Sequence, residues 1–390
     1  MKPDLTIVGA GLTGLTAAIE AAERGWRVTV AEAHSRPGGR ARSLPAPFRA
    51  NTGPHAVYVD GPWWAWLERR GLTPRIVAAP RNAGLVRTGG RLGPWPAELS
   101  AAIAALPAEA PAAETFRAWL LRHVDAKTAE AIAGVAFIFT FDHDPGRVSA
   151  EFACQRLHRT LAGGARYVAG GWTTLVDLLA ERAVSLGAEI RTQARVAALP
   201  AGPTILATSL AAARDLTGDL SLTWPSARVA TFDLGLRADA GPDWFRIMDL
   251  DNRIYAARYS LADSSLAPPG HELMQISAAC APGERKADAE RRVQHLLDQS
   301  WPGWRATVQW QRSAVRMHST GAVDLPGTTW RDRPAVSRGA ALAVATDQSA
   351  APGLLAETGI AAAQFAVRHL APAVGDEQPG HADRLQLRPA

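Results

Sequence analysis

Leu5-Thr6-Ile7-Val8-Gly9-Ala10-Gly11-Leu12-Thr13-Gly14 opens the chain, and Val28-Thr29-Val30-Ala31-Glu32 completes the unit it begins. The apolar run to Val8 reads as a buried strand, and the glycines follow in G-x-G-x-x-G spacing. Gly9 allows a sharp turn, Gly11 leaves bare backbone for a close ligand, and Gly14 lets a helix lie close to the sheet. Leu12, Leu15, Ala18, Ile19 and Ala22 recur at helical spacing and give that helix an apolar face. Its N-terminus offers unpaired N–H groups and a partial positive charge to phosphate. Glu32 stands eighteen positions beyond Gly14, close to the ~20 at which a carboxylate meets ribose hydroxyls. The unit is a strand–turn–helix–strand suited to the diphosphate of a dinucleotide. An acid at position 32 would repel a ribose 2′-phosphate, which leaves FAD or NAD rather than NADP.

The 390 residues exceed one ordinary core and suit two connected domains. Apolar residues make up 47% and charged residues 20%, a globular balance. Lysine occurs only at Lys2, Lys127 and Lys286, so nearly all the positive charge is arginine. No basic run carries interleaved aromatics, which argues against a nucleic-acid partner. Cys154 and Cys280 are the only cysteines, too few for a disulfide framework and suited to a reducing cytoplasm. The first strand starts so soon after Met1 that no signal peptide is expected. The longest apolar stretch, 131–141, is too short to cross a bilayer, which needs ~20 residues. Pro62-Trp63-Trp64-Ala65-Trp66-Leu67 reads as a helix start turned to the core, with contact at a membrane surface as its alternative.

Further along, Arg36-Pro37-Gly38-Gly39-Arg40 makes a loop where amides and a guanidinium can approach phosphate. Asn51-Thr52-Gly53-Pro54-His55 is a second breaker-rich turn. Alanine-rich periodic stretches predict helices near 98–106, 112–124 and 128–139. Asp142-His143-Asp144 places two carboxylates around one histidine, but such close neighbours do not converge easily on one ion, and no metal is expected. Gly170-Gly171 leads into a helix over 173–186, and strands are expected at 188–191, 195–197 and 204–208. Alternation such as Val229-Ala230-Thr231-Phe232-Asp233-Leu234 suits an antiparallel sheet over 228–311, with a helix carrying the charge run 284–292. Ala341 to Asp347 predicts a strand ending in an acid, followed by a loop and a helix to about 369. The end of the chain, 373–390, is a polar tail.

Taken in order, these blocks resemble the FAD-dependent amine oxidase superfamily, which includes phytoene desaturases and protoporphyrinogen oxidases. The resemblance rests on Val8 to Gly14, Glu32, Gly38-Gly39-Arg40, Gly53-Pro54-His55, Tyr167 with Gly170-Gly171, Val196, and Thr346-Asp347 through Gly359. It implies FAD as cofactor, and an α/β fold in which a Rossmann-type FAD domain is joined to a substrate domain of antiparallel sheet plus helices. Segments 1–60, 161–225 and 312–372 would build the FAD domain, and 61–160 with 226–311 the substrate domain. Gly9, Ala10, Gly11, Leu12, Thr13, Gly14, Gly38, Gly39 and Arg40 would hold the pyrophosphate. Glu32 would hold the adenosine ribose, Val196 the adenine and Asp347 the ribityl chain, with Ala33 also among the cofactor-binding residues. The helix at Thr358-Gly359 would face the flavin pyrimidine, with Gly53, Pro54 and His55 beside the isoalloxazine. Many amine oxidases place a lysine near flavin N5, and none of the three lysines here stands at a suitable position.

The chemistry so implied is hydride transfer from a small-molecule substrate C–H to the flavin. Trp63, Trp66, Phe137, Phe139, Phe141 and Tyr255 are expected to line an apolar cavity, which suits an isoprenoid, polyene or tetrapyrrole-like substrate. An amine or amino-acid oxidase and a non-redox flavoprotein are the alternatives. His55 is the candidate proton-handling group, because imidazole titrates near neutral pH. Tyr58, Arg253, Tyr255 and Arg258 rank behind it; an arginine can orient a carboxylate but is no base at neutral pH. The electron acceptor is not legible.

Overall fold

The computed structural model describes residues 3–53, 55–80, 84–238, 241–317 and 320–371. Two large sheets organise them. The first is parallel throughout, in the order β14 (Leu342–Val344), β8 (Thr204–Leu206), β1 (Asp4–Val8), β2 (Arg27–Ala31) and β7 (Glu189–Arg191). Parallel neighbours require a crossover, and α1 (Leu12–Glu23) supplies the one from β1 to β2. α1 packs on this sheet and against α7 (Trp172–Ser185) and α10 (Ala356–Leu370). Every residue from Gly14 to Ala21 is consequently buried, Glu20 included. A buried carboxylate needs partners. Trp66 in α2 (Pro62–Glu68) donates its indole N–H to Glu20 at 2.6 Å, and Arg70 donates at 3.1 Å. Trp63, Trp64 and Trp66 are all buried, so the tryptophan-rich run is a packed helix.

The second sheet runs β13 (Val308–Met317), β9 (Arg228–Arg237), β12 (His271–Ala279), β11 (Ile254–Arg258), β10 (Arg246–Asp249), β4 (Gly84–Thr88) and β5 (Arg91–Pro94). It is antiparallel except where β10 meets β4. The period-2 pattern of β9 explains its two faces. Ala230, Phe232, Leu234 and Leu236 pack with Ala289, Val293, Leu296 and Leu297 of α9 (Lys286–Ser300), while Val229 and Thr231 face the other way, into a cavity. A short ribbon of β3 (Ile76–Ala78) and β6 (Arg166–Val168) lies apart. Helices α3 (Ala97–Ala104), α4 (Phe116–Leu120), α5 (Ala126–Thr140) and α6 (Ala150–Gly163) contribute to a separate apolar cluster, and α8 (Leu210–Thr217) follows β8.

Several elements differ from the sequence expectation. The insertion is not all helical: β4 and β5 form a hairpin, because Gly89 and Gly90 both take positive φ (57° and 76°) in its tight turn. The helix expected over 112–124 contracts to α4, where the Thr115 side chain accepts from the Ala118 N–H and caps the start. Residues 195–197 form no strand; the backbone bond from Ala194 to Glu32 O is followed by chain running past the sheet edge. β13 continues unbroken through the expected boundary between 311 and 312, so that boundary falls inside a strand. The tail 373–390 lies outside the described residues.

Candidate functional site

At the end of β1 the backbone turns through Gly9, whose φ of 103° is a left-handed value that glycine adopts without strain. A Cβ at Gly14 would strike the Gly9 carbonyl and approach the Ala207 Cβ to 3.3 Å, so this glycine sets how closely α1 lies on the sheet. Gly11 differs: a Cβ there would meet nothing within 4 Å. It is the N-cap of α1, with no side-chain cap and no acid in the first turn. The leading N–H groups and the positive end of the helix dipole therefore face open space.

The Glu32 carboxylate ties this turn together. It accepts from the Ala10 N–H at 2.9 Å and the His34 N–H at 2.9 Å, and meets His34 Nδ1 at 2.7 Å. Burial pushes its pKa up, but these hydrogen bonds outweigh burial and leave it below the usual carboxylate value. Beside it, Gly38 donates to the Ala10 carbonyl at 2.7 Å, which brings Gly38-Gly39-Arg40 alongside the glycine turn. Arg40 reaches Asp347, just past β14, at 2.7 Å. Segments far apart in sequence thus meet at one place.

They meet on the wall of a single cavity of about 1650 Å³. Of the residues singled out from sequence, Gly9, Gly11, Leu12, Thr13, Glu32, Ala33, Gly38, Gly39, Arg40, Gly53, His55, Tyr58, Val196 and Asp347 line it. Val196 does so from irregular chain rather than from a strand. Ala10 and Gly14 lie behind the wall and act through a backbone bond and through packing. Thr358 and Gly359 are buried inside α10; a Cβ on Gly359 would collide with Thr13 Oγ1. Leu355, the N-cap of α10, and Ala356 line the cavity in their place, while Thr358 and Gly359 later in the same turn face the core. Pro54 lies outside the described residues.

The expected aromatic lining is largely corrected. Phe141 and Tyr255 reach the cavity, but Trp63, Trp66, Phe137 and Phe139 are core side chains. On α5 the residue facing the cavity is Ile138, because the buried face of that helix is already filled by Ile132, Ala133, Ala136 and Phe139. Arg258 is locked in the interior by Glu272 at 2.7 Å and the Trp244 carbonyl at 2.9 Å, and Arg253 points towards Glu130 at 3.5 Å. Neither lines the cavity. Arg166, Arg246, Arg312 and Arg316 do, as do all four tyrosines of the chain. Sequence reasoning passed over these arginines, although the alternation of β9 already marks one face of its sheet as polar. Among the described residues no group of three His, Cys, Asp or Glu side chains is placed to hold a metal ion.

His55 lines the cavity close to Arg40 and, on β13, Arg316. Its Nδ1 lies 2.7 Å from the Gly53 carbonyl, which can only accept, so Nδ1 carries a proton. Burial lowers its pKa, and the Arg40 and Arg316 guanidinium groups push the same way against backbone hydrogen bonds with Gly53 and Arg40. The loop before it is anchored to the second sheet: Gln275 and Arg312 each donate to the Asn51 carbonyl at 2.9 Å and each bond Asp233 at 2.7 Å. Burial pushes the Tyr58 hydroxyl up to about 12, so at neutral pH it is a hydrogen-bond donor and no base.

Residues 7–70 match the family of NAD(P)-binding Rossmann-like domains. A stretch of 54 residues is 56% identical to the hydroxyneurosporene desaturase of Rhodobacter capsulatus, covering 14% of this chain and 11% of that protein. Over almost the whole chain the fold is similar to that of an oxidoreductase from Methanosarcina mazei, with a TM-score of 0.76 and 20% identity, covering 94% of this chain and 99% of that one. It is similar also to cyclohexylamine oxidase from Brevibacterium oxydans, with a TM-score of 0.69 and 15% identity over 95% and 99% of the two chains. The chain thus shares the fold of these two proteins over nearly its whole length. No helix among the described residues is long and apolar enough to cross a membrane.

Proposed function

We propose that this protein is an FAD-dependent oxidoreductase of the desaturase or dehydrogenase type, acting on a largely apolar small molecule. One observation carries the reading. The open N-terminus of α1, the Glu32 carboxylate, the Arg40–Asp347 pair and the polar face of the second sheet all border one continuous cavity. At about 1650 Å³ it exceeds the ~300–1,000 Å³ of an ordinary ligand pocket, leaving room for a dinucleotide and a substrate together. FAD bound there would supply the acceptor for a hydride leaving a substrate C–H. The chain's own part is to hold and orient. The α1 N–H groups and Arg40 would neutralise the diphosphate, and Glu32 would accept from the adenosine ribose. Asp347 would accept from the ribityl hydroxyls, Val196 would meet the adenine, and His55 would present a neutral ring beside the flavin. Segments 1–60 and 161–225 and the chain beyond β13 would grip the nucleotide, with 61–160 and the second-sheet strands from β9 to β13 closing over the substrate. An ammonium substrate is disfavoured, because eight arginines and three carboxylates line the cavity.

The test is anaerobic titration of the purified yellow protein with candidate polyenes, isoprenoids, porphyrinogens and amines. Bleaching of the flavin bands by an apolar compound supports the reading. Folded protein that stays colourless with excess FAD overturns it, and bleaching by amines alone assigns the protein to the oxidase alternative. His55→Ala should slow bleaching by about tenfold or more while FAD stays bound.

A further inference from the structure

We propose that the substrate carries an anionic oxygen group, a carboxylate or a phosphate, and that Arg246 holds it at the end of the cavity bordered by the tyrosines. This rests on the oxidoreductase reading above and narrows its substrate from an apolar molecule to an apolar acid.

The geometry follows from strand register. Arg246 on β10 stands in one row across the second sheet with Ala257, Gln275, Asp233 and Arg312. At one end of that row Arg312 is matched by Asp233. At the other end Arg246 has no carboxylate and no hydrogen-bond partner among the described residues. Neighbouring strands lie about 4.8 Å apart, so Asp233, three strands away, is about 14 Å distant and already engaged. On the remaining side stands β4, where residue 84, opposite Arg246, is glycine. A Cβ there would come within 3.3 Å of Arg246 Nε, so the guanidinium lies over the space a side chain would fill. Asp249 is on the same strand, but its parity turns it to the other face, where it bonds Asn252 and lies near Arg87. A guanidinium that borders the cavity with no acid beside it is placed to take its counter-charge from a ligand.

The surroundings are suited to such a ligand. Tyr167, whose ring packs on Phe245, is close enough to feel the Arg246 charge. Tyr255 hydrogen-bonds both Tyr167 and Tyr259. Arg166 precedes Tyr167 on β6 and lines the same cavity, and its guanidinium hydrogen-bonds only the Ala165 carbonyl among the described residues. Met248, Ile138 and Phe141 provide apolar wall for the rest of the molecule. Arg40 and Arg316 stand by His55, so an acid gripped at Arg246 would extend its apolar body along the cavity.

The experiment holds the apolar chain constant and varies the head group, using geraniol, geranic acid, geranyl diphosphate and geranylamine. Each is titrated into the FAD-loaded protein by calorimetry and by perturbation of the flavin bands. The acid, the diphosphate or both should bind about tenfold or more tighter than the alcohol, with the amine weakest. A carboxylate preference and a diphosphate preference distinguish the two anions. Arg246→Met should bring acid and alcohol within about twofold of each other and leave geraniol binding unchanged. Gly84→Val, which crowds the guanidinium without removing it, should weaken the acid selectively. Equal binding of acid and alcohol by the unaltered protein overturns the proposal. So does loss of the preference in Arg316→Met but not in Arg246→Met. Calorimetry also reads the preference in colourless protein, so failure to take up FAD, which sinks the flavin reading, is told apart from failure of Arg246 to hold an anion.

Discussion

Gly11 and Gly14 stand three residues apart in one motif, yet they do different work, and substitution separates them. Gly14→Ala forces a Cβ against the Gly9 carbonyl, a backbone atom that cannot move aside. It should cost about 1–3 kcal/mol of stability by overpacking and lower the thermal midpoint of the apoprotein. Gly11→Ala meets nothing within 4 Å and keeps an ordinary φ of −74°. It should fold as the unaltered protein does but lose FAD affinity, read as flavin-to-protein ratio after gel filtration. A stable, fully yellow Gly11→Ala variant would show that no phosphate approaches there. His55 offers a pH test at the same scale. Its folded pKa is depressed from about 6.5, chiefly by burial. The unfolded chain therefore takes up a proton that the fold refuses. The His55 contribution is whole above about pH 6.5 and drains away as pH falls towards the folded value. His55→Gln should flatten the decline in thermal midpoint between about pH 6.5 and 5.

Among elements, Glu357 near the start of α10 shows how helices are locked around the site. Its carboxylate takes both guanidinium nitrogens of Arg159 on α6, at 2.6 and 2.7 Å, and caps the Leu354 N–H at 2.9 Å. Gly61, the N-cap of α2, leaves the room this pair occupies. Glu357→Ala strands a partly buried Arg159 and frees the turn at Leu354. It should cost about 2–4 kcal/mol in urea denaturation, and because Leu355 and Ala356 line the cavity it should loosen FAD as well. A buried pair elsewhere provides the control. Arg258→Ala leaves Glu272 uncompensated beneath the second sheet, and should cost about 3–5 kcal/mol while FAD affinity at permissive temperature stays unchanged. Loss of FAD affinity there would mean that the second sheet positions the nucleotide through more than its cavity face.

Over the whole molecule, the arginine excess around the cavity is the dominant field. Eight guanidinium groups against three carboxylates should speed association of the anionic dinucleotide, and the rate of FAD uptake by apoprotein should fall steeply as salt rises. The affinity of the apolar body of a substrate should change far less over the same salt range. Because the proposed contacts reach from the glycine turn to the loop anchored on the second sheet, FAD should stabilise the native state by mass action. At a hundredfold excess over Kd the gain is about 2.7 kcal/mol. Differential scanning calorimetry across an FAD series should show the midpoint climbing with concentration; a midpoint that ignores FAD would mean that the native state does not bind it.

The amino acids by themselves determined the first unit, because its signals are local. Strand, glycine turn, helix and Glu32 lie within twenty-eight residues, 5–32, and each answers to backbone sterics or short-range hydrogen bonding. The alternation of β9 and the position of α7 were legible for the same reason, since a two-residue and a 3.6-residue period are written along the chain. What only the tertiary structure decided is which way long-separated side chains face. Trp63 and Phe139 were indistinguishable in sequence from cavity aromatics, yet the packing of α1 and α5 claims them for the core. Thr358 and Gly359 share the first turn of α10 with Ala356 but face the core rather than the cavity. The pairing of Asp233 with Arg312, and the lack of any such partner for Arg246 among the described residues, depends on the register of strands up to seventy-nine positions apart, and no local pattern encodes it.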